Sequence, residues 1–251
     1  MQLPPLVPGR ILRRYQRFLA DVALAGGERV TAHCPNTGAM TGCWAPGAPV
    51  ELSRADHPRR KLAYTLERVD MGAGWIGVHT GRVNAVVAEA IEGGRIPALA
   101  GYRRIRREVR CDHAGGRARL DLVLTEGGGR PDVYVEVKNT TLLDGDALRF
   151  PDAVTARGRR HLALLEALVR RGHRAAMVYA LNRPEGGRFA PACDVDPAYC
   201  AALARAVAAG VEVYALRIRH LPRALEGGDL VPVDLPARSP RKGDPAAGPS
   251  C

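Results

Sequence analysis

One short segment constrains the fold more than any other: Arg119-Leu-Asp121-Leu-Val-Leu124, a turn-forming run Glu126-Gly-Gly-Gly-Arg-Pro131, then Val133-Tyr-Val-Glu136-Val-Lys138-Asn139. Two runs of β-favouring residues joined by a glycine-rich turn predict a hairpin. Side chains alternate across a strand, so Leu120, Leu122 and Leu124 should line one face of the first run and Val133, Val135 and Val137 one face of the second. If both apolar rows face the same core, Asp121, Glu136 and Lys138 must share the other side. Pairing Leu120 with Val137 and Leu124 with Val133 centres the turn between Gly128 and Gly129 and sets Asp121 opposite Glu136. Facing cross-strand residues have Cβ atoms roughly 5 Å apart.

Two carboxylates so placed repel each other unless a proton or a cation lies between them. A hard divalent ion such as Mg²⁺ or Mn²⁺ takes one or two carboxylates and keeps several waters, so Asp121 and Glu136 are a candidate metal pair. Lys138 follows on the same face, roughly 7 Å along. There it can orient or deprotonate a metal-activated water attacking a phosphodiester. A solvated sheet face carrying surface charges is the competing reading of any lone Glu-x-Lys tripeptide. The acidic residue in facing register and the apolar rows opposite weigh against it.

The rest of the chain divides around this hairpin. Before about Thr80, five short strand-like runs punctuated by Gly and Pro predict a small barrel: Ile11 to Leu24, Arg29 to His33, Val50 to Leu52, Leu62 to Val69 and Trp75 to Val78. Afterwards come a helix at about Val83 to Glu92 and three strand-like runs. A helix from Asp152 to about Arg171, a strand at Ala175 to Ala180, a helix at Pro197 to Ala208 and a strand at Val211 to Leu216 complete an αβββαβ order with an added αβ. The expected domains are 1–80 and 81–234, with 235–251, rich in Pro, Gly, Ser and Arg, as a disordered tail.

A net charge of +11 favours a polyanionic partner, because cations that neutralise phosphates release counterions. Abundant Arg, Ala and Gly are equally consistent with a compositional bias. No apolar run of about 18 residues could cross a membrane and no signal-peptide pattern opens the chain, so a cytoplasmic protein is expected. Six scattered cysteines lack metal-site spacing and are expected as reduced thiols.

Combined, His33-Cys-Pro-Asn-Thr-Gly-Ala-Met40, Arg119-Leu-Asp-Leu-Val-Leu124, Val135-Glu-Val-Lys-Asn139 and Phe150-Pro-Asp-Ala-Val-Thr-Ala-Arg-Gly158 resemble the sugar fermentation stimulation protein family (SfsA), over about residues 10 to 220. The resemblance implies an N-terminal OB-like β-barrel and a PD-(D/E)xK nuclease-like α/β domain. It also implies DNA binding and a role in regulating maltose metabolism, with either a metal-dependent nuclease or a non-catalytic regulator that retains the nuclease fold. The wider PD-(D/E)xK pattern assigns Asp121 as the metal-binding aspartate and Glu136-Val-Lys138 as its E-x-K element, although Leu120 stands where many members carry proline. Many members add an acidic residue on the first helix, for which Glu89 is the candidate, then Glu92 and Glu108.

Other groups fall in behind this centre. Asp152 is the expected N-cap of its helix, with Val154, Leu165 and Leu168 on the buried stripe. Arg157 and His161, four apart on one face, would flank the site and contact a phosphate, or else pack along the stripe and reach water. Arg13, Arg14 and Arg17 of the barrel are candidates for tracking a nucleic-acid backbone. His33-Cys34 lacks a third ligand nearby, so Pro35-Asn-Thr-Gly38 reads as a conformational or nucleic-acid-contacting loop. Nothing in these residues separates DNA from RNA.

Overall fold

The computed structural model describes residues 1–55, 60–113 and 116–235. The expected tail therefore lies, from 236 onward, outside the described residues. In the first domain β1 (Leu6–Tyr15), β2 (Leu19–Leu24), β3 (Arg29–His33), β4 (Pro49–Arg54), β5 (Tyr64–Asp70) and β6 (Trp75–Gly77) run in the order β3-β2-β1-β4-β5-β6. A parallel contact between β3 and β5 closes the barrel. Its interior is filled by Ile11, Val22, Val50, Leu52, Leu66 and Ile76, all buried. β1 starts five residues before the expected Ile11, through Pro8 and Gly9, which read as breakers in the sequence. Pro8 precedes the stretch where β1 pairs with β2. At Gly9 a side chain would collide with Val22 Cγ1 at 2.6 Å, so glycine there permits close strand packing.

The second domain opens with α1 (Thr80–Glu92) and continues through β7 (Arg104–His113), β8 (Gly116–Thr125), β9 (Val133–Thr140), β10 (Leu142–Asp144), β11 (Ala147–Phe150), α2 (Ala156–Arg170), β12 (Arg174–Leu181), β13 (Arg188–Pro191), α3 (Pro197–Ala208), β14 (Glu212–His220) and β15 (Leu225–Leu230). Its main sheet has the order β15-β14-β12-β9-β8-β7, with β9, β12 and β14 parallel. α1 covers one face and α2 with α3 the other, giving two apolar layers. Buried on both faces, β12 (Arg-Ala-Ala-Met-Val-Tyr-Ala-Leu) is almost continuously apolar. The αβββαβ order with its added αβ is present. The short strands β10, β11 and β13, which form a separate small sheet, and β15 are additional.

The two domains are pinned together. Arg68 of β5, 2% exposed, donates to Glu51 Oε2 at 2.5 Å and to the carbonyls of Leu221 and Pro222 at 2.8 and 3.2 Å, and its guanidinium lies over Trp75. Residues 1–3 also leave the barrel: Leu3 N–H donates to Arg223 O, and Met1 and Leu3 pack on the α1 side of the second domain.

α2 is shorter at its start than expected. Thr155, not Asp152, is the N-cap, accepting from Gly158 N–H at 3.0 Å. Asp152 instead accepts from Met40 N–H at 3.3 Å, and Val154, outside the helix, is 70% exposed rather than buried. Leu165 and Leu168 are buried as expected. The thiols also need correction. Cys193 and Cys200 are joined in a disulfide, because the turn capped by Asp196 folds back onto the first turn of α3 and leaves their Cα atoms 5.5 Å apart.

Candidate metal and nucleic-acid site

The hairpin forms with the expected register: Leu122 faces Val135 and Leu124 faces Val133, and the turn sits on Gly128 and Gly129, both with positive φ. Glycine is required there because both turn residues are left-handed. The strands part beyond Leu122 and Val135, however. Val137 N–H finds its acceptor in Asp121 Oδ2, at 2.8 Å, rather than in the backbone of β8. The alternation of β8 also breaks at this point. Leu122 and Leu124 pack on the α1 side, while Leu120 joins the α2–α3 side, so the three leucines do not share one face. Beside the break Glu108 of β7 has φ +56°, a left-handed backbone for a non-glycine residue. This local distortion turns Asp121 into the gap between the strands.

Asp121, Glu136 and Lys138 line one cleft of about 560 Å³. Lys138 Nζ and His161 Nδ1 both contact Glu136 Oε1. Glu136 Oε2 is buried without a partner. Asp121 Oδ1 accepts from Asn84 Nδ2 of α1 at 2.9 Å. Burial and the neighbouring Glu136 charge push the Asp121 carboxyl up to about 6. Burial pushes Glu136 up too, but the hydrogen bond from His161 and the charge of Lys138 outweigh it, leaving Glu136 below its ordinary value. Environments that drive two neighbouring carboxyls apart are a feature of functional sites.

A divalent cation fits this donor set. Glu136 Oε2 is a buried oxygen with no bond to give up, and burial and the Glu136 charge, outweighing the pull of Lys138, hold a proton on Asp121 up to about 6. A cation is the group that replaces such a proton. Among the described residues no group of three or more His, Cys, Asp or Glu side chains is placed to hold a metal ion, so two carboxylates and water would have to suffice, as Mg²⁺ and Mn²⁺ accept.

The other expected residues are divided. Glu89 does not reach the cleft; it pairs with the amino group of Met1. Five residues separate it from Asn84, about 140° around the helix and about 7.5 Å along it. Asn84 is the α1 residue that meets Asp121, and it also donates to Glu108 Oε1 at 3.0 Å, so Glu108 is joined to the site through it. His161 is buried against Glu136 and cannot contact a phosphate, whereas Arg157 is exposed on the cleft wall. Arg17 lines the cleft as well. Arg14 is occupied: its Nη2 donates to the carbonyls of Arg17, Asn36 and Gly38 and so fastens the Cys34–Gly38 loop over the cleft. Arg13 pairs with Asp21 and lies over Tyr15 on the barrel surface. The loop itself is shaped by Asn36, whose Oδ1 accepts from Gly38 N–H at 2.9 Å.

The domain order, barrel then three-layer sheet, and the cleft between them now meet their relatives. Residues 12–78 match the SfsA N-terminal OB domain and residues 81–224 the sugar fermentation stimulation protein RE domain. The chain belongs to the sugar fermentation stimulation protein family. It is 52% identical over 236 residues to a homolog from Alkalilimnicola ehrlichii, covering 92% of this chain and 98% of that one. It is 52% identical over 222 residues to one from Rhodospirillum rubrum, covering 84% and 89%. The solved structure of Pyrococcus furiosus SfsA in complex with Ca²⁺ superposes with a TM-score of 0.83 at 29% identity, over 93% of this chain and 98% of that one. As in that SfsA fold, an OB barrel precedes the α/β domain. Among the described residues no helix is long and apolar enough to cross a membrane.

Proposed function

We propose that this SfsA protein binds nucleic acid in the cleft and holds Mg²⁺ or Mn²⁺ between Asp121 and Glu136 to hydrolyse a phosphodiester, DNA being the expected substrate. The carrying observation is the carboxylate pair itself: one buried unpaired oxygen on Glu136 beside an Asp121 whose proton is held to about pH 6. The P. furiosus relative was solved with Ca²⁺, a hard cation with the same preference for oxygen ligands, which supports this reading.

When bound, the cation supplies Lewis acidity and a water acidified for attack. The chain's own groups do the rest. His161, buried behind Glu136, holds that carboxylate's orientation. Lys138 Nζ stands beside Glu136 Oε1, where its ammonium can donate a hydrogen bond that orients the attacking water. Asn84 and Val137 N–H fix the two oxygens of Asp121. Arg17 from the barrel and Arg157 from α2 provide cationic walls for a phosphate backbone.

The test incubates purified full-length protein with single-stranded, duplex and branched DNA, and with matched RNA, in Mg²⁺ or Mn²⁺. Cleavage should vanish with a chelator and fall about 100-fold or more in Asp121→Ala and Glu136→Gln. Absence of cleavage by the wild type, or unchanged cleavage by Asp121→Ala, overturns the catalytic reading. A gel-shift titration showing no affinity for either polymer at low salt overturns the binding reading.

A further inference from the structure

Strand β7 forms one edge of the main sheet, with β8 on one side and no strand on the other. Edges are commonly blunted by charge, which discourages pairing with another chain. Here the charge is one-sided. Residues 103–110 read Arg-Arg-Ile-Arg-Arg-Glu-Val-Arg, and all five arginines are exposed. Two acidic groups beside the row are already engaged, Glu126 facing Arg104 at 3.8 Å and Glu108 bonded to Arg119 at 2.7 Å. Among the described residues Arg103, Arg106, Arg107 and Arg110 have no ion-pair partner. Several arginines elsewhere in the fold are matched to carboxylates, as at Arg82–Glu67, Arg159–Asp196 and Arg174–Glu212. A row of unmatched like charges is unfavourable to the isolated fold, so its natural counterpart is an external polyanion.

The row also adjoins the cleft. Arg107 lies opposite Leu122 and Val109 opposite Leu120, which brackets Asp121 on the neighbouring strand. Glu108, between them, shares Asn84 with Asp121. From Arg103 to Arg110 the strand extends about 23 Å at about 3.3 Å per residue. We propose that the β7 edge is a second nucleic-acid track, gripping the phosphate backbone that leaves the cleft at its Asp121 end. The assignment rests on the nucleic-acid reading above and adds a surface to it.

Phosphate contacts have a specific signature: each one contributes about −0.9 to the slope of log Kobs against log salt on duplex DNA. The triple variant R106Q/R107Q/R110Q should therefore bind duplex DNA with a slope shallower by about 2 to 3. Its affinity at low salt should fall about 10- to 100-fold. The matching lysine variant, R106K/R107K/R110K, should keep most of the slope, which separates lost charge from a damaged fold. A control losing the same charge from exposed positions remote from the cleft, R171Q/R205Q/R223Q, should leave the slope at its wild-type value. Wild-type slope in the β7 glutamine variant, or an equal loss in the control, overturns the track while leaving the cleft reading intact. No salt-sensitive binding by the wild type overturns both.

Discussion

Replacing Asp121 by Asn tests the electrostatics of the cleft without removing its shape. In the folded protein the Asp121 carboxyl titrates at about 6, against 3.8 for an unperturbed aspartate. The folded state thus binds the proton more tightly than the unfolded chain, so this group's contribution is most favourable below about pH 4 and is lost as pH rises through about 6. Two pK units correspond to roughly 3 kcal/mol of destabilisation when the carboxylate is ionised. Asparagine keeps an oxygen to accept from Val137 N–H but carries no charge. Its amide group must re-pair with Asn84, with a loss of about 1 kcal/mol if that hydrogen bond is not recovered. Asp121→Asn should therefore be more stable than wild type by about 1 to 2 kcal/mol at pH 8, raising Tm by about 2–8 °C. At pH 4 it should be equal or less stable by up to about 1 kcal/mol. Urea unfolding in the presence of a chelator at pH 4, 6 and 8 reads this directly. A stability difference independent of pH, or a variant weaker at pH 8, would refute the claim that Asp121 is a carboxylate held against its preference. Adding Mn²⁺ at pH 8 should stabilise the wild type and leave the variant unmoved.

Three further outcomes follow from the packing. His161→Ala should weaken Mn²⁺ binding about 10- to 100-fold by calorimetry, because it removes the ring that orients Glu136; an unchanged Kd would count against a supporting role. Arg68→Ala should lower stability by about 3–5 kcal/mol in urea titrations, since Glu51 and two carbonyls lose their donor. Arg68→Lys should recover only part, a lone ammonium being unable to span all three acceptors. Gly77→Ala should cost about 1–3 kcal/mol, because its Cβ would fall 2.2 Å from Oδ1 of buried Asn182, and a melt matching wild type would show that the domains can slide apart there.

What the sequence made legible follows from how local the cause is. The register of β8 on β9 is set by alternating Leu and Val rows and by two glycines in left-handed turn positions, all within twenty residues. The barrel, and helices such as Pro197–Ala208 with its Asp196 cap, are local in the same sense. The failures needed tertiary knowledge. That β8 breaks its alternation at Asp121 depends on Glu108 of the neighbouring strand. The expectation of Glu89 rested on acidic chemistry alone, whereas the α1 residue that meets Asp121 is the uncharged Asn84, near the N-terminal end of the helix. Asp152 looked like a cap because its alternative donor, Met40 N–H, is 112 residues away. Arg14 looked free because two of the three carbonyls that occupy it, those of Asn36 and Gly38, belong to a loop whose path the sequence does not reveal.

That loop has a consequence for how the two domains can be inherited. The barrel supplies Arg17 and the Cys34–Gly38 roof of a cleft whose floor belongs to the α/β domain, and Asp152 from the far wall holds Met40 at the roof's edge. At Gly38 a side chain would collide with that same carboxylate at 2.4 Å. The barrel is thus not a detachable module that could be exchanged for another nucleic-acid-binding unit. Arg14, Gly38 and Asp152 lie on separate stretches of chain yet must change in concert, so a chimera that joins the barrel of one family member to the α/β domain of another has to match them across the seam.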